Sequence, residues 1–104
     1  MKKMIWSPLA KEQIADIFYY YKQEFGILTA RKVKKAIQDC GVKLKRNPNI
    51  GRVETEAEGR SHVYYSYVEH KNHKIVYYVE GDTLYIADIW PCLMDSESLK
   101  RRLE

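Results

Sequence analysis

The period of the hydrophobic pattern changes once along this chain, and that change limits the folds open to it. Ala10, Ile14, Ile17 and Tyr21 fall at spacings of four, three and four, with Phe18 and Phe25 widening the stripe. Val33, Ile37, Cys40 and Leu44 repeat the same spacing. Such a period puts each set on one side of an amphipathic helix. From Ser61 onward the period is two, through a tyrosine-rich run to His70, then His73 to Glu80 and Thr83 to Trp90. Runs of this kind are strands, and Gly81-Asp82 between the last two is a hairpin turn signal.

The punctuation agrees with these periods. Lys2 to Trp6 reads as a short first strand. Ser7 can cap a helix whose first position is Pro8, where the missing N–H costs nothing. Gly26 stops that helix, and Thr29 is the expected cap of the second. Asn47-Pro48 ends the second helix, because the residue before a proline is pushed out of the helical region. Gly51 is expected to supply a positive φ as the polar loop from Asn49 to Gly59 returns to the sheet. A short helix is expected near Asp95 or Ser96, through Leu99 to Leu103. The order β-α-α-β-β-β with a short C-terminal helix makes an α+β domain, an antiparallel sheet packed against an N-terminal helical hairpin. At 104 residues one domain spanning 1–104 is expected.

Charge narrows the choice of partner. The net charge is +4 and the pI about 9.0. Arg31, Lys32, Lys34, Lys35, Lys43 and Lys45 crowd the second helix, which favours an anionic partner. Two cysteines, Cys40 and Cys92, form no CxxC pair and read as small buried residues in a reducing compartment. No leader-like apolar segment follows the first residues and no run approaches a membrane span, so a cytoplasmic protein with no membrane partner is expected. His62, His70 and His73 lie in the strand region, His70 and His73 as loop residues bracketing a turn. None has the companion ligands of a metal site, and no cofactor motif is present.

The same residues resemble the RelE/ParE superfamily of bacterial type II toxin–antitoxin toxins. "IWSPLAKEQIADIFYYY" is similar to the family's first strand, Ser/Thr-Pro-x-Ala turn and first helix. "RNPNIGR", Arg46 to Arg52, is similar to its Asn-Pro-x-x-Gly-Arg loop, and "HKIVYYVEGDTLYIADIW" to its closing hairpin. The resemblance implies a cognate antitoxin as partner. It implies one of two targets: the ribosome and its mRNA, cut by a metal-free ribonuclease site, or DNA gyrase, bound without a nuclease. For the ribonuclease, Lys74 and Arg60 are the candidate catalytic residues. Period two sets Lys74, Val76 and Tyr78 on one face and Ile75, Tyr77 and Val79 on the other, so that Lys74 points into the groove if the second set packs on the helices. Arg52, Arg60, Lys74, Tyr78 and Trp90 are the candidates for contact with target or antitoxin. After Trp90, where nuclease members carry an arginine, this chain reads Pro91, Cys92, Leu93 and Met94. That departure favours a toxin that binds its target, with a diverged endonuclease or a degenerate toxin retaining only antitoxin binding as alternatives.

Overall fold

A computed structural model describes residues 2–54, 62–69 and 73–91. The element order is β1 (Lys3–Trp6), α1 (Pro8–Phe25), α2 (Ile27–Arg46), a 3-10 turn (Pro48–Ile50), β2 (Arg52–Val53), β3 (Tyr65–Glu69), β4 (His73–Glu80) and β5 (Thr83–Pro91). The strands form one sheet in the order β1-β5-β4-β3-β2. The expected architecture is present, with two refinements. β1 joins β5 in parallel, and all the other pairings are antiparallel. The two-residue strand β2 lies inside the expected loop. The expected C-terminal helix lies outside the described residues.

Ser7 starts α1 and fastens it to the sheet. Its Oγ accepts the Ala10 N–H at 3.0 Å and donates to the Ala87 carbonyl at 2.8 Å. Gly26 alone links the helices, at φ +94, a left-handed conformation that L side chains rarely adopt. Its N–H bonds the Lys22 carbonyl, and its own carbonyl accepts the Ala30 N–H. One residue thus closes α1 and opens α2. The second helix therefore begins at Ile27, without a side-chain cap, and Thr29 sits inside it.

The helical stripes meet the sheet as their spacing requires. Ala10, Ile14, Ile37, Cys40 and Leu44 form one buried cluster with Ile75, Tyr77, Leu84, Ile86 and Ile89; Ile17 and Val33 pack against it. Tyr21 is buried and its ring packs near Phe25 and His73. Ile75 and Tyr77 are wholly buried, but Val79, at the hairpin end, is 38% exposed.

A β-bulge in β5 adjusts the alternation. Val76 pairs with Asp88 and Tyr77 with Ile86, leaving Ala87 without an opposite residue. Ile86 and Ile89, three apart, can then both enter the core while Asp88 turns away. The Ile89 N–H at this place donates to Gln13 Oε1 at 2.8 Å, and the same side chain bonds Asp88 through Nε2. α1 thereby satisfies a stretch of β5 that β1 is too short to pair.

Gly51 corrects one expectation. Its φ is −78, an ordinary extended value, so no positive φ is involved. The constraint is space: a Cβ there would lie 2.9 Å from the Ser66 carbonyl oxygen and nearer still to the Tyr77 hydroxyl. That hydroxyl accepts the Gly51 N–H at 3.1 Å and donates to the Pro48 carbonyl at 2.7 Å.

Ile37→Ala should cost about 2–5 kcal/mol, read from urea unfolding, because it empties a fully buried site between helix and sheet. Gly51→Ala should cost about 1–3 kcal/mol by overpacking. A loss below about 0.5 kcal/mol for either would contradict the packing described.

Candidate functional site on the sheet

Residues directly opposite each other in the ladder share a face. Lys74 pairs with both Val68 and Trp90, Val76 with Ser66 and Asp88, and Ser66 with Arg52. Tyr78 pairs with Tyr85, which in turn pairs with Ile5. These rows lie on the side turned away from the core cluster. Lys74, Tyr78, Trp90 and Arg52 are therefore brought onto one face, while Arg60 lies outside the described residues.

Lys74 projects from the face that the alternation gives it, but it is not a bare cation there. Its Nζ lies 2.8 Å from Glu54 Oε2, and the Glu54 side chain is only 7% exposed. The ammonium also sits 4.2 Å from the centre of the Trp90 ring, within cation–π range. Glu54 reaches this place because β2 ends at Val53, and the Glu54 N–H bonds the Tyr64 carbonyl at 2.8 Å. Sequence inspection does not single out Glu54, since its partner is distant in the chain and nothing local marks the pairing.

Next to this pair runs a column of rings. His62 stacks on Tyr78 with centroids 4.1 Å apart and planes 14° apart, and Tyr78 stacks on Tyr85 at 4.8 Å and 11°. Tyr64 meets Tyr78 edge-on at 5.4 Å. Burial, and then the neighbouring Tyr64, Tyr85 and Glu80, push the Tyr78 hydroxyl above its ordinary 10.0. Tyr78 is thus a neutral stacking and hydrogen-bonding group at physiological pH. Arg52 is exposed at the start of β2.

The helix side offers different chemistry. Ala36, Asp39, Cys40, Lys43, Tyr67 and Glu69 line a half-open cavity of about 300 Å3. Burial, and then the Glu69 carboxylate, push the Cys40 thiol up to about 11, which keeps it protonated at neutral pH. Lys43 Nζ donates to the Tyr67 hydroxyl at 2.7 Å, which raises its pKa. Cys92 and His70 lie outside the described residues. His73 is not a loop residue: it opens β4 and is 1% exposed. Burial pushes its imidazole below the ordinary 6.5, although the Glu69 carboxylate stands 3.9 Å from Nδ1. Among the described residues no three His, Cys, Asp or Glu side chains are placed to hold a metal, and no helix is long and apolar enough to cross a membrane.

Residues 4–95 match the family described as the ParE toxin of the type II toxin–antitoxin system parDE. The chain belongs to the ParE toxin family. Solved structures carry the same fold. The chromosomal ParDE toxin–antitoxin system from P. aeruginosa aligns with a TM-score of 0.73 at 20% identity, over 88% of this chain and 96% of that one. The YoeB/ParE toxin from Agrobacterium tumefaciens aligns at 0.58 and 19% identity, over 86% and 96%. The YoeB dimer from Staphylococcus aureus aligns at 0.55 and 25% identity, over 85% and 93%. No curated protein matches the chain.

The buried imidazole gives this ParE-family toxin a pH-dependent stability. A lowered folded pKa means that the unfolded chain binds the proton first, so His73 contributes stability that is fully present above about pH 6.5 and lost as pH falls through the folded value. Urea midpoints at pH 7.5 and pH 5 should therefore fall further for the wild type than for His73→Leu. Equal falls would assign the acid sensitivity to other groups.

Proposed function

We propose that this ParE-type toxin is a single cytoplasmic domain, 1–104, that is neutralised by a cognate antitoxin and acts by binding a large cellular target such as DNA gyrase, with no nuclease chemistry. The observation that carries this reading is the Lys74–Glu54 pair. A ribonuclease face must neutralise the charge that builds on the scissile phosphate, and a preorganised cation is the usual means. Here the Lys74 ammonium already holds a carboxylate at 2.8 Å. The sequence adds support, since Pro91, Cys92, Leu93 and Met94 carry no cationic side chain.

The antitoxin is a protein with an acidic or amphipathic segment that folds against the toxin. Support comes from the family description, from the similar ParDE toxin–antitoxin system, and from the cations exposed along α2. Arg52, Arg60, Lys74, Tyr78 and Trp90 are the residues proposed to meet target or antitoxin.

A diverged ribosome-dependent endonuclease is the second reading. It rests on His62, stacked on Tyr78 on the same face as Lys74, where an imidazole could move a proton. Expression of the chain in cells lacking an antitoxin, with supercoiling and transcript integrity followed separately, distinguishes the two. The expected result is growth arrest with inhibited supercoiling and intact mRNA. Rapid mRNA cleavage that Lys74→Ala abolishes would overturn the target-binding reading, and harmless expression would favour a degenerate toxin that keeps only its antitoxin site.

The antitoxin's association rate should drop on the order of tenfold between low and high salt, and its binding should show a negative heat-capacity change. A salt-independent rate would remove the electrostatic part of the proposal.

A further inference from the structure

Glu54 and Lys74 stand far apart along β3 and meet above its middle. Glu54 is anchored at Tyr64, before β3 begins, and Lys74 is paired with Val68, near its end. Their side chains converge across the row that contains Ser66 and Val76. Val76 belongs to that row on the face away from the helices, and it is only 4% exposed.

The ammonium is enclosed by this arrangement. One N–H direction is taken by the Glu54 carboxylate and one side by the Trp90 indole. The Lys74 side chain keeps 20% exposure, and Glu54 7%. A pair this sheltered is screened less by salt than a surface pair, so the cancellation of charge persists at physiological ionic strength. Without the carboxylate, the same place would present an ammonium over an indole, with the exposed Arg52 on the same face. Cations interleaved with aromatic rings are what holds single-stranded nucleic acid without regard to sequence.

We propose that Glu54 is a specificity-determining residue: its carboxylate occupies the position a phosphate oxygen would need at Lys74, and so keeps single-stranded nucleic acid off this face of the sheet. The face is a latent polyanion site held closed by an internal counter-ion. This goes beyond the target-binding reading and does not depend on it, because it concerns oligonucleotide affinity and not toxicity or supercoiling.

The test uses the full chain and a fluorescein-labelled single-stranded RNA oligonucleotide, with anisotropy titrations at several KCl concentrations and circular dichroism to confirm folding. Glu54→Gln keeps the side chain's shape and removes its charge. It should bind on the order of tenfold more tightly than the wild type at low salt, with a log–log salt slope steeper by about 0.7, as one added phosphate contact requires on a single strand. Adding Lys74→Met to Glu54→Gln should abolish that gain. An unchanged affinity in folded Glu54→Gln, or a gain that survives Lys74→Met, would overturn the proposal. Glu54→Ser, which removes the carboxylate altogether, is a second variant should Glu54→Gln not fold. It should show the same gain in affinity and the same steeper salt slope. A folded Glu54→Ser that binds no more tightly than the wild type would equally overturn the proposal.

Discussion

The Tyr77 hydroxyl ties the turn that leads into β2 to the core of the sheet. Its ring is buried in the core, and its oxygen accepts from Gly51 and donates to Pro48. Those two bonds hold the 3-10 turn against the sheet and so set the register in which Arg52 and Val53 join β3. Once that register is set, the Glu54 backbone meets Tyr64 and the Glu54 carboxylate meets Lys74. A buried hydroxyl with both of its bonds made costs little, but one left unmade would cost about 1–3 kcal/mol. The turn is therefore specified by the core. The charge at the candidate site is decided by a tyrosine that never reaches the site itself.

The second dependence runs along β5. A strictly alternating strand would put Asp88 among the helices and Ile89 in the aromatic layer. The bulge at Ala87 exchanges them, and Gln13 makes the exchange tolerable by bonding the Ile89 N–H and the Asp88 carboxylate together. The polar end of Gln13 thus belongs to the sheet although the residue sits on α1. Ser7 fixes the same helix at its start through the Ala87 carbonyl. Ser7 and Gln13 both anchor α1 at or beside the bulge, so helix position and strand register constrain each other.

These two networks separate what could be read in the sequence from what could not. The stripes at Ile14 and Ile37, the stop at Gly26 and the alternation of Ile75 and Tyr77 are local signals, and local periodicity carries them. The start of α2 was less legible, because a single glycine at φ +94 replaces the cap that Thr29 suggested. Gly51 was legible as a glycine requirement but not in its cause: the clash is with Tyr77, twenty-six positions along the chain. The same limit applies at the candidate site. The face of Lys74 follows from period two, whereas its partner Glu54 comes from the far edge of the sheet. The ring column needs His62, whose place depends on how the chain enters β3. Arg60 and the segment after Pro91 lie outside the described residues.

Long-range pairing also explains how a chain with a net charge of +4 divides its two sides. On the sheet, Lys74 is satisfied by Glu54, and stacked rings occupy the adjacent row. On α2, Arg31, Lys32, Lys34 and Lys35 are exposed; Lys35 meets Asp39 at 2.9 Å in a surface pair, the kind that contributes little. Among the described residues, most of the exposed cations therefore lie on the helices, with Arg52 exposed on the sheet face. An acidic partner segment would be drawn to that side, while a surface meeting the sheet would encounter ring edges and tyrosine hydroxyls near a neutralised lysine. Contact there would combine apolar burial with the charge of Arg52. Among the described residues, the fold thus sets most of the exposed cations on the helices and leaves one lysine of the sheet face paired with a carboxylate.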